Sequence, residues 1–150
     1  FEMIYFNADG KIGSMCGNGG RCAVQFAHDL HLFEGVAHFL AADGPHEAYL
    51  QNGLIHLKMG DVSAVTVGEG TCFVNTGSPH HVQFVDDVAN FPVVEEGRKI
   101  RHSAAYQPAG ANVNFVERTK DWLFVRTFER GVEDETYSCG TGVTAAAIVA

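Results

Sequence analysis

The chain has 150 residues, with 10 Lys+Arg against 18 Asp+Glu and a formal net charge of −8. That balance argues against the basic footprint of a nucleic-acid-binding module and against electrostatic anchoring to a membrane. At 46% hydrophobic and 19% charged residues, the composition is that of a globular chain able to bury a core, not of a disordered one.

The opening residues Phe1-Glu2-Met3-Ile4-Tyr5-Phe6 are strand-like in their apolar character, and Asn7-Ala8-Asp9-Gly10 reads as a turn. After Met15-Cys16-Gly17-Asn18-Gly19-Gly20, the residues Ala23, Phe26, Ala27 and Leu30 fall at i, i+3, i+4 and i+7. This spacing predicts an amphipathic helix with those four as its apolar face, ending near Gly35. Residues 36–42 read as a strand, and 47–51 with 54–59 as a hairpin about Asn52-Gly53, a pair suited to the positive φ angles of a tight turn. Gly60-Asp61 is the best domain boundary, giving units 1–60 and 61–150. Strands at 72–74 and 82–85 flank the turn Thr76-Gly77-Ser78-Pro79. A weak helix is expected at 95–106, and residues 112–116 and 122–128 alternate as strands. A charged loop, 129–135, then leads through Cys139-Gly140-Thr141-Gly142 into an apolar helix over 143–150, which should be buried because it is apolar nearly all round. Strands with interspersed helices place the chain in the α/β or α+β class. Without an initiator Met, and with a last helix that lacks a C-terminal stop signal, the sequence reads as a fragment of a longer protein.

No run approaches the roughly 18 apolar residues of a membrane span, and the first residues lack the basic and apolar regions of a signal peptide. The expected location is the cytoplasm, where Cys16, Cys22, Cys72 and Cys139 are thiols. Two of them share a setting. Cys16-Gly17-Asn18-Gly19 and Cys139-Gly140-Thr141-Gly142 are both Cys-Gly-x-Gly, each just before a predicted helix. Unpaired N–H groups and the positive dipole end at a helix N-terminus bind anions and favour thiolate, and the glycines let a ligand approach the backbone. If the two copies face each other across a cleft, their N–H groups clasp one carboxylate and hold a cysteine on each side of the adjacent carbon. One cysteine, as thiolate, then removes the Cα proton while the other, as thiol, protonates the opposite face. A zinc site is disfavoured, since Cys16-x5-Cys22 is not a metal spacing. Cys22 and Cys72 read as buried small hydrophobes.

The segment Met15-Cys16-Gly17-Asn18-Gly19-Gly20-Arg21-Cys22 carries a resemblance that five further stretches share. They are Phe6-Asn7-Ala8-Asp9-Gly10, Thr76-Gly77-Ser78-Pro79-His80, Asn112-Val113-Asn114-Phe115, Glu129-Arg130-Gly131 and Glu135-Thr136-Tyr137-Ser138-Cys139-Gly140-Thr141-Gly142. Together, and in this order, they resemble the diaminopimelate epimerase family. The resemblance implies two pseudo-symmetric halves, each a barrel-like mixed sheet around a central helix, with 1–60 and 61–150 as parts of the N- and C-terminal halves. It implies a cofactor-independent enzyme, without a metal, interconverting LL- and meso-2,6-diaminoheptanedioate on the route to lysine and peptidoglycan. Cys16 and Cys139 match the catalytic pair. Gly17, Asn18, Gly140 and Thr141 match residues that hold the reacting carboxylate, and Asn7, Asn112, Glu129 and Arg130 match those that bind the distal amino-acid end. Arg130 could fork to the distal carboxylate while Glu129 accepts from the distal ammonium. The expected partner is this small molecule, with no nucleic acid or membrane, in a protein that is a monomer or a homodimer.

Two features depart from the family pattern. Ser78 stands where the family commonly has Asn, and the loop from Glu129 to Cys139 is one residue longer than the commonest spacing. His80 aligns with the histidine of a Pro-His motif and reads equally as a hydrogen-bonded structural residue. The rival readings are a proline or hydroxyproline racemase, which typically has His at the position of Asn18, and a phenazine-type isomerase, which lacks the cysteine pair. A third is a non-catalytic anion-binding or redox module in which Cys16 and Cys139 form a reversible disulfide. Facing thiols of this kind are expected to join on oxidation and inactivate the enzyme.

Overall fold

The computed structural model describes residues 1–7 and 10–150, so Ala8 and Asp9 of the expected turn lie outside the described residues. The chain forms two compact units, Phe1–Gly60 and Asp61–Ala150, in a mixed α+β arrangement of three helices and two sheets.

In the first unit the opening segment makes isolated bridges instead of a strand. Glu2 pairs in parallel with Leu40, and Phe6 pairs with Ile12. Strands β1 (Val36–Ala41), β2 (Gly44–Gln51) and β3 (Leu54–Leu57) form an antiparallel sheet in that order. The β2–β3 turn has Asn52 at φ 53° and Gly53 at φ 75°, the two positive angles that the Asn-Gly pair supplies at least cost. Helix α1 (Gly17–Asp29) packs on β2 and β3. The expected face of α1 is rotated. Its buried residues are Gly17, Gly20, Val24 and Ala27, while Phe26 and Leu30 are exposed. Small residues line the contact, and a Cβ added at Gly20 would stand 2.9 Å from Met15 Cε, 3.4 Å from Leu57 Cδ2 and 3.5 Å from Phe39 Cζ, so close approach to the sheet outweighs the pull of the larger side chains. The same rotation exposes Cys22, contrary to its reading as a buried hydrophobe. The helix stops at Asp29, short of Gly35, as His31 takes up φ 55°. Met15, Val24, Ala37, Phe39, Ala41 and Ala48 form the core, and alternate residues of β1 point into it.

The second unit is a six-stranded sheet in the order β4 (Val65–Val67), β5 (Thr71–Asn75), β6 (Pro79–Phe84), β7 (Asn112–Arg118), β8 (Leu123–Glu129) and β9 (Asp134–Thr136). All neighbours are antiparallel except β6 and β7. A parallel pair needs a crossover, and helix α2 (Val93–Arg101) lies within it. The helix expected at 95–106 therefore starts earlier and stops sooner. Strand β4 was not anticipated, and β9 lies partly within the stretch expected to be a charged loop.

Period-two alternation sorts the strands onto two faces. Val113, Phe115 and Phe128 meet Val88 and Val93 on the α2 side. Val74, Val82 and Val116 meet Ala145 and Ala146 of helix α3 (Gly140–Val149) on the other. Helix α3 buries one stripe, Thr141, Gly142, Ala145 and Ala146. Val143 and Ile148 are exposed, so the helix is not covered all round as its composition suggested.

Helix α2 reaches its sheet at Gly97, where a Cβ would stand 2.7 Å from Phe128 Cγ and would also collide with Phe128 Cβ. Phe128 is fully buried and cannot swing aside. Gly97→Ala is therefore expected to destabilise the protein by about 1–3 kcal/mol, read as a lower urea midpoint at unchanged slope.

Candidate active site

Both Cys-Gly-x-Gly segments cap helices. Cys16 is the N-cap of α1, with extended backbone at φ −111° and ψ 107°. Its Sγ accepts the Gly19 N–H at 3.4 Å, in the position of the usual capping oxygen. Its carbonyl accepts the Gly20 N–H at 2.8 Å. Cys16 is half-buried, Gly17 is buried, and Asn18 is exposed in the first turn, where its Oδ1 accepts from Arg21. Asn7 belongs to the same unit, with its N–H donating to the Lys11 carbonyl at 2.9 Å.

Cys139 is the N-cap of α3 at φ −122° and ψ 101°, nearly the backbone conformation of Cys16. It is only 9% exposed. Alternation along the sheet explains what surrounds it. His80 on β6, Asn112 and Asn114 on β7, and Thr127 and Glu129 on β8 lie on the α3 side, extending the row that carries Val82, Val116 and Val125. Polar residues therefore replace apolar ones where α3 begins. Thr76 Oγ1 donates to the Thr141 carbonyl at 2.9 Å, fixing the first turn of α3 to the loop before β6. Gly142 is the point of closest approach. A Cβ there would collide with Asn114 Oδ1 and lie 3.2 Å from Cys139 Sγ.

The side chains expected at the distal end divide their hydrogen bonds. Asn112 Nδ2 donates to Ser78 Oγ at 2.9 Å, and Asn112 Oδ1 accepts the Arg130 N–H at 2.9 Å. Ser78, buried at the position where it departs from the family pattern, thus supports Asn112. The Arg130 guanidinium donates to the Ala109 carbonyl at 3.2 Å. Glu129 Oε1 accepts from Thr136 at 2.5 Å, and its carboxylate is close enough to act on the Cys139 thiol.

The sequence left the resting protonation of the cysteines open, and burial decides it for Cys139. The N-terminus of α3 favours thiolate, but burial pushes the Cys139 pKa up to about 11, with the Glu129 charge adding to it. The Thr141 hydroxyl and the Gly142 N–H pull the other way without prevailing. Cys139 therefore rests as a thiol at neutral pH. His80 is fully buried, and burial lowers its pKa to about 4, so the ring is neutral under the same conditions. Sequence reasoning left His80 unassigned and did not single out Asn114 or Thr127. Strand alternation from Asn112 would have marked Asn114 as facing the same way. Among the described residues, no group of three or more His, Cys, Asp or Glu is placed to hold a metal ion, and no helix is long and apolar enough to cross a membrane.

Comparison with known proteins places the chain in a family. The family model described as Diaminopimelate epimerase matches residues 72–150. The chain is 53% identical over 150 residues to the diaminopimelate epimerase of Flavobacterium psychrophilum, covering 99% of this chain and 59% of that protein. It is 46% identical to that of Chlorobaculum tepidum, covering 99% and 62%, and 43% identical to that of Aquifex aeolicus, covering 99% and 57%. A solved structure of a phenazine biosynthesis protein PhzF family member from Enterococcus faecalis shares the fold at a TM-score of 0.59 and 15% identity, covering 93% of this chain and 57% of that one. The chain belongs to the diaminopimelate epimerase family. It spans about three fifths of the length of these relatives.

With its pKa near 11, Cys139 has only about a thousandth of its population as thiolate at pH 8. In the full-length protein its alkylation by iodoacetamide, followed by mass spectrometry, should be slow at pH 8 and climb about tenfold per pH unit toward pH 11. A half-maximal rate below pH 8 would contradict the assignment.

Proposed function

We propose that the protein interconverts LL- and meso-2,6-diaminoheptanedioate by two-base proton transfer at Cα without a cofactor, in the formation of lysine and peptidoglycan precursors. The observation that carries this reading is the repeated one. In each unit a cysteine N-caps a helix with nearly the same backbone angles, followed by Gly-x-Gly. Each helix start offers N–H groups to a carboxylate and a sulfur to the carbon beside it.

In this reading the backbone groups of Gly17, Asn18, Gly140 and Thr141 hold the reacting carboxylate and stabilise the charge that develops on it as Cα loses its proton. Cys139, protonated at rest, delivers its proton to one face of the carbon. Cys16, as thiolate, takes the Cα proton from the other. One C–H bond breaks and one forms, and the two sulfurs exchange protonation states. The reverse reaction starts from that exchanged state, so the pair titrates as a unit during turnover. General acid–base transfer supplies only about 10²–10⁴-fold, and the remainder falls to placement and to the helix ends. Asn7, Asn112, Glu129 and Arg130 then read the distal amino-acid end, with Arg130 taking the carboxylate and Glu129 the ammonium. The names and the 38–53% identities of the curated relatives support this substrate.

The test is to incubate the full-length protein with LL-diaminopimelate and, separately, with L-proline, and to follow each by chiral chromatography. Epimerisation of diaminopimelate alone, reduced at least 10³-fold by Cys16→Ala and by Cys139→Ala, is the expected result. Turnover of proline would move the protein to the racemase reading. Tight ligand binding without turnover in the unsubstituted protein would leave a binding module.

A further inference from the structure

We propose that Asn114 is a positioning residue that sets the direction of a hydrogen-bond relay through His80 and Thr141, so that the Thr141 hydroxyl donates to Cys139 Sγ. The inference deepens the proposed epimerase reading and rests on it for its catalytic meaning, whereas the relay itself is a matter of geometry.

Asn114 is fully buried, and its three partners leave it one orientation. Its Nδ2 lies 2.8 Å from the His81 carbonyl, an atom that can only accept, so the amide nitrogen must be the atom that faces it. Its Oδ1 accepts from Thr127 Oγ1 at 3.0 Å. The second Nδ2 hydrogen points to His80 Nδ1 at 3.1 Å. Because Nδ2 donates there, Nδ1 carries a lone pair, and a neutral His80 must hold its proton on Nε2. His80 Nε2 is 2.9 Å from Thr141 Oγ1, so the ring N–H donates to that oxygen. The Thr141 hydrogen is then free to point at Cys139 Sγ, 3.5 Å away.

Donation to sulfur favours the anion over the thiol. This matters at the moment after Cys139 has given up its proton. The sulfur is then a nearly buried anion close to the Glu129 carboxylate, and the Thr141 hydroxyl is a donor already aimed at it. If the relay ran the other way, with a proton on His80 Nδ1, Nε2 would take the Thr141 hydrogen. Thr141 could then only accept from the Cys139 S–H, holding the proton that the reaction must release. Gly142 completes the device, since its missing Cβ leaves room for Asn114 Oδ1 beside the helix.

The test begins with the tautomer. Full-length protein labelled with 15N-histidine, with His80 assigned by loss of its signal in His80→Gln, should give two-bond proton–nitrogen correlations of a neutral ring protonated at Nε2 at pH 7. A ring protonated at Nδ1, or at both nitrogens, overturns the proposal. Asn114→Asp replaces the donor with an acceptor and should move the proton to Nδ1. It should also lower the rate of Cys139 alkylation at pH 9 about tenfold. To separate relay from the added charge, the same substitution is made in Thr141→Val, where the relay is cut. There it should change the alkylation rate less than twofold, and an undiminished tenfold loss would overturn the proposal. Thr141→Ser, which keeps the hydroxyl, should restore the response to Asn114→Asp. None of these readouts requires turnover, so a protein inactive on diaminopimelate would sink the epimerase reading while leaving the relay to be judged on its own.

Discussion

Everything around Cys139 depends on satisfying the polar groups buried where α3 meets the sheet. Asn112, Asn114, Thr127, Thr141 and His80 are each 5% exposed or less. A buried polar atom left without a partner costs about 1–3 kcal/mol. The cluster meets this requirement with bonds among its members and to the neighbouring buried Ser78: Asn112 to Ser78, Asn114 to Thr127 and His80, and His80 to Thr141. Each bond crosses from one strand, loop or helix to another, so the arrangement also fixes the register in which the helix N-terminus sits over β6, β7 and β8. Fully satisfied networks of this kind specify one geometry, and a partly satisfied one would be worse than an apolar core.

The position of the thiol follows from the same constraint. A helix N-terminus by itself favours thiolate, but the cluster that anchors α3 also removes water from Cys139 and brings Glu129 near it. Burial outweighs the helix end, and the result is a protonated acid with a pKa near 11. In the proposed mechanism this suits a group that donates a proton to carbon, provided the anion it leaves is met by a donor. In the first unit the corresponding cysteine caps its helix directly, with Sγ accepting the Gly19 N–H, and is half-buried. Two cysteines with similar backbone therefore sit in different surroundings, one buried and one half-buried.

Much of the framework was legible in the sequence because it rests on local rules. Asn52-Gly53 announced its hairpin, and the alternation at 112–116 and 122–128 announced two strands, of which the structure extends the first by two residues and shifts the second by one. The Cys-Gly-x-Gly repeat marked two helix starts. What was not legible depends on tertiary contact. Ala23, Phe26, Ala27 and Leu30 satisfied helical spacing, yet Gly17, Gly20, Val24 and Ala27 form the buried stripe, because nearness to the sheet selected small residues. Cys22 was misread for the same reason. The short strands β4 and β9 lack a run long enough to signal pairing. The protonation of Cys139 was hidden because burial and the Glu129 carboxylate come from parts of the chain that only folding brings together. Asn114 looked like any residue of an alternating strand until its three partners were in place.

The most direct test of the two-cysteine account is the fate of solvent hydrogen at Cα in the first turnovers in heavy water. With LL-diaminopimelate and the full-length protein, the account predicts deuterium at the inverted carbon of the meso product, with the recovered LL substrate still unlabelled at low conversion. One cysteine removes a proton while the other delivers a solvent-derived one. Equal labelling of recovered substrate and product at low conversion, or product retaining the original proton, would show a single base serving both faces and would contradict it.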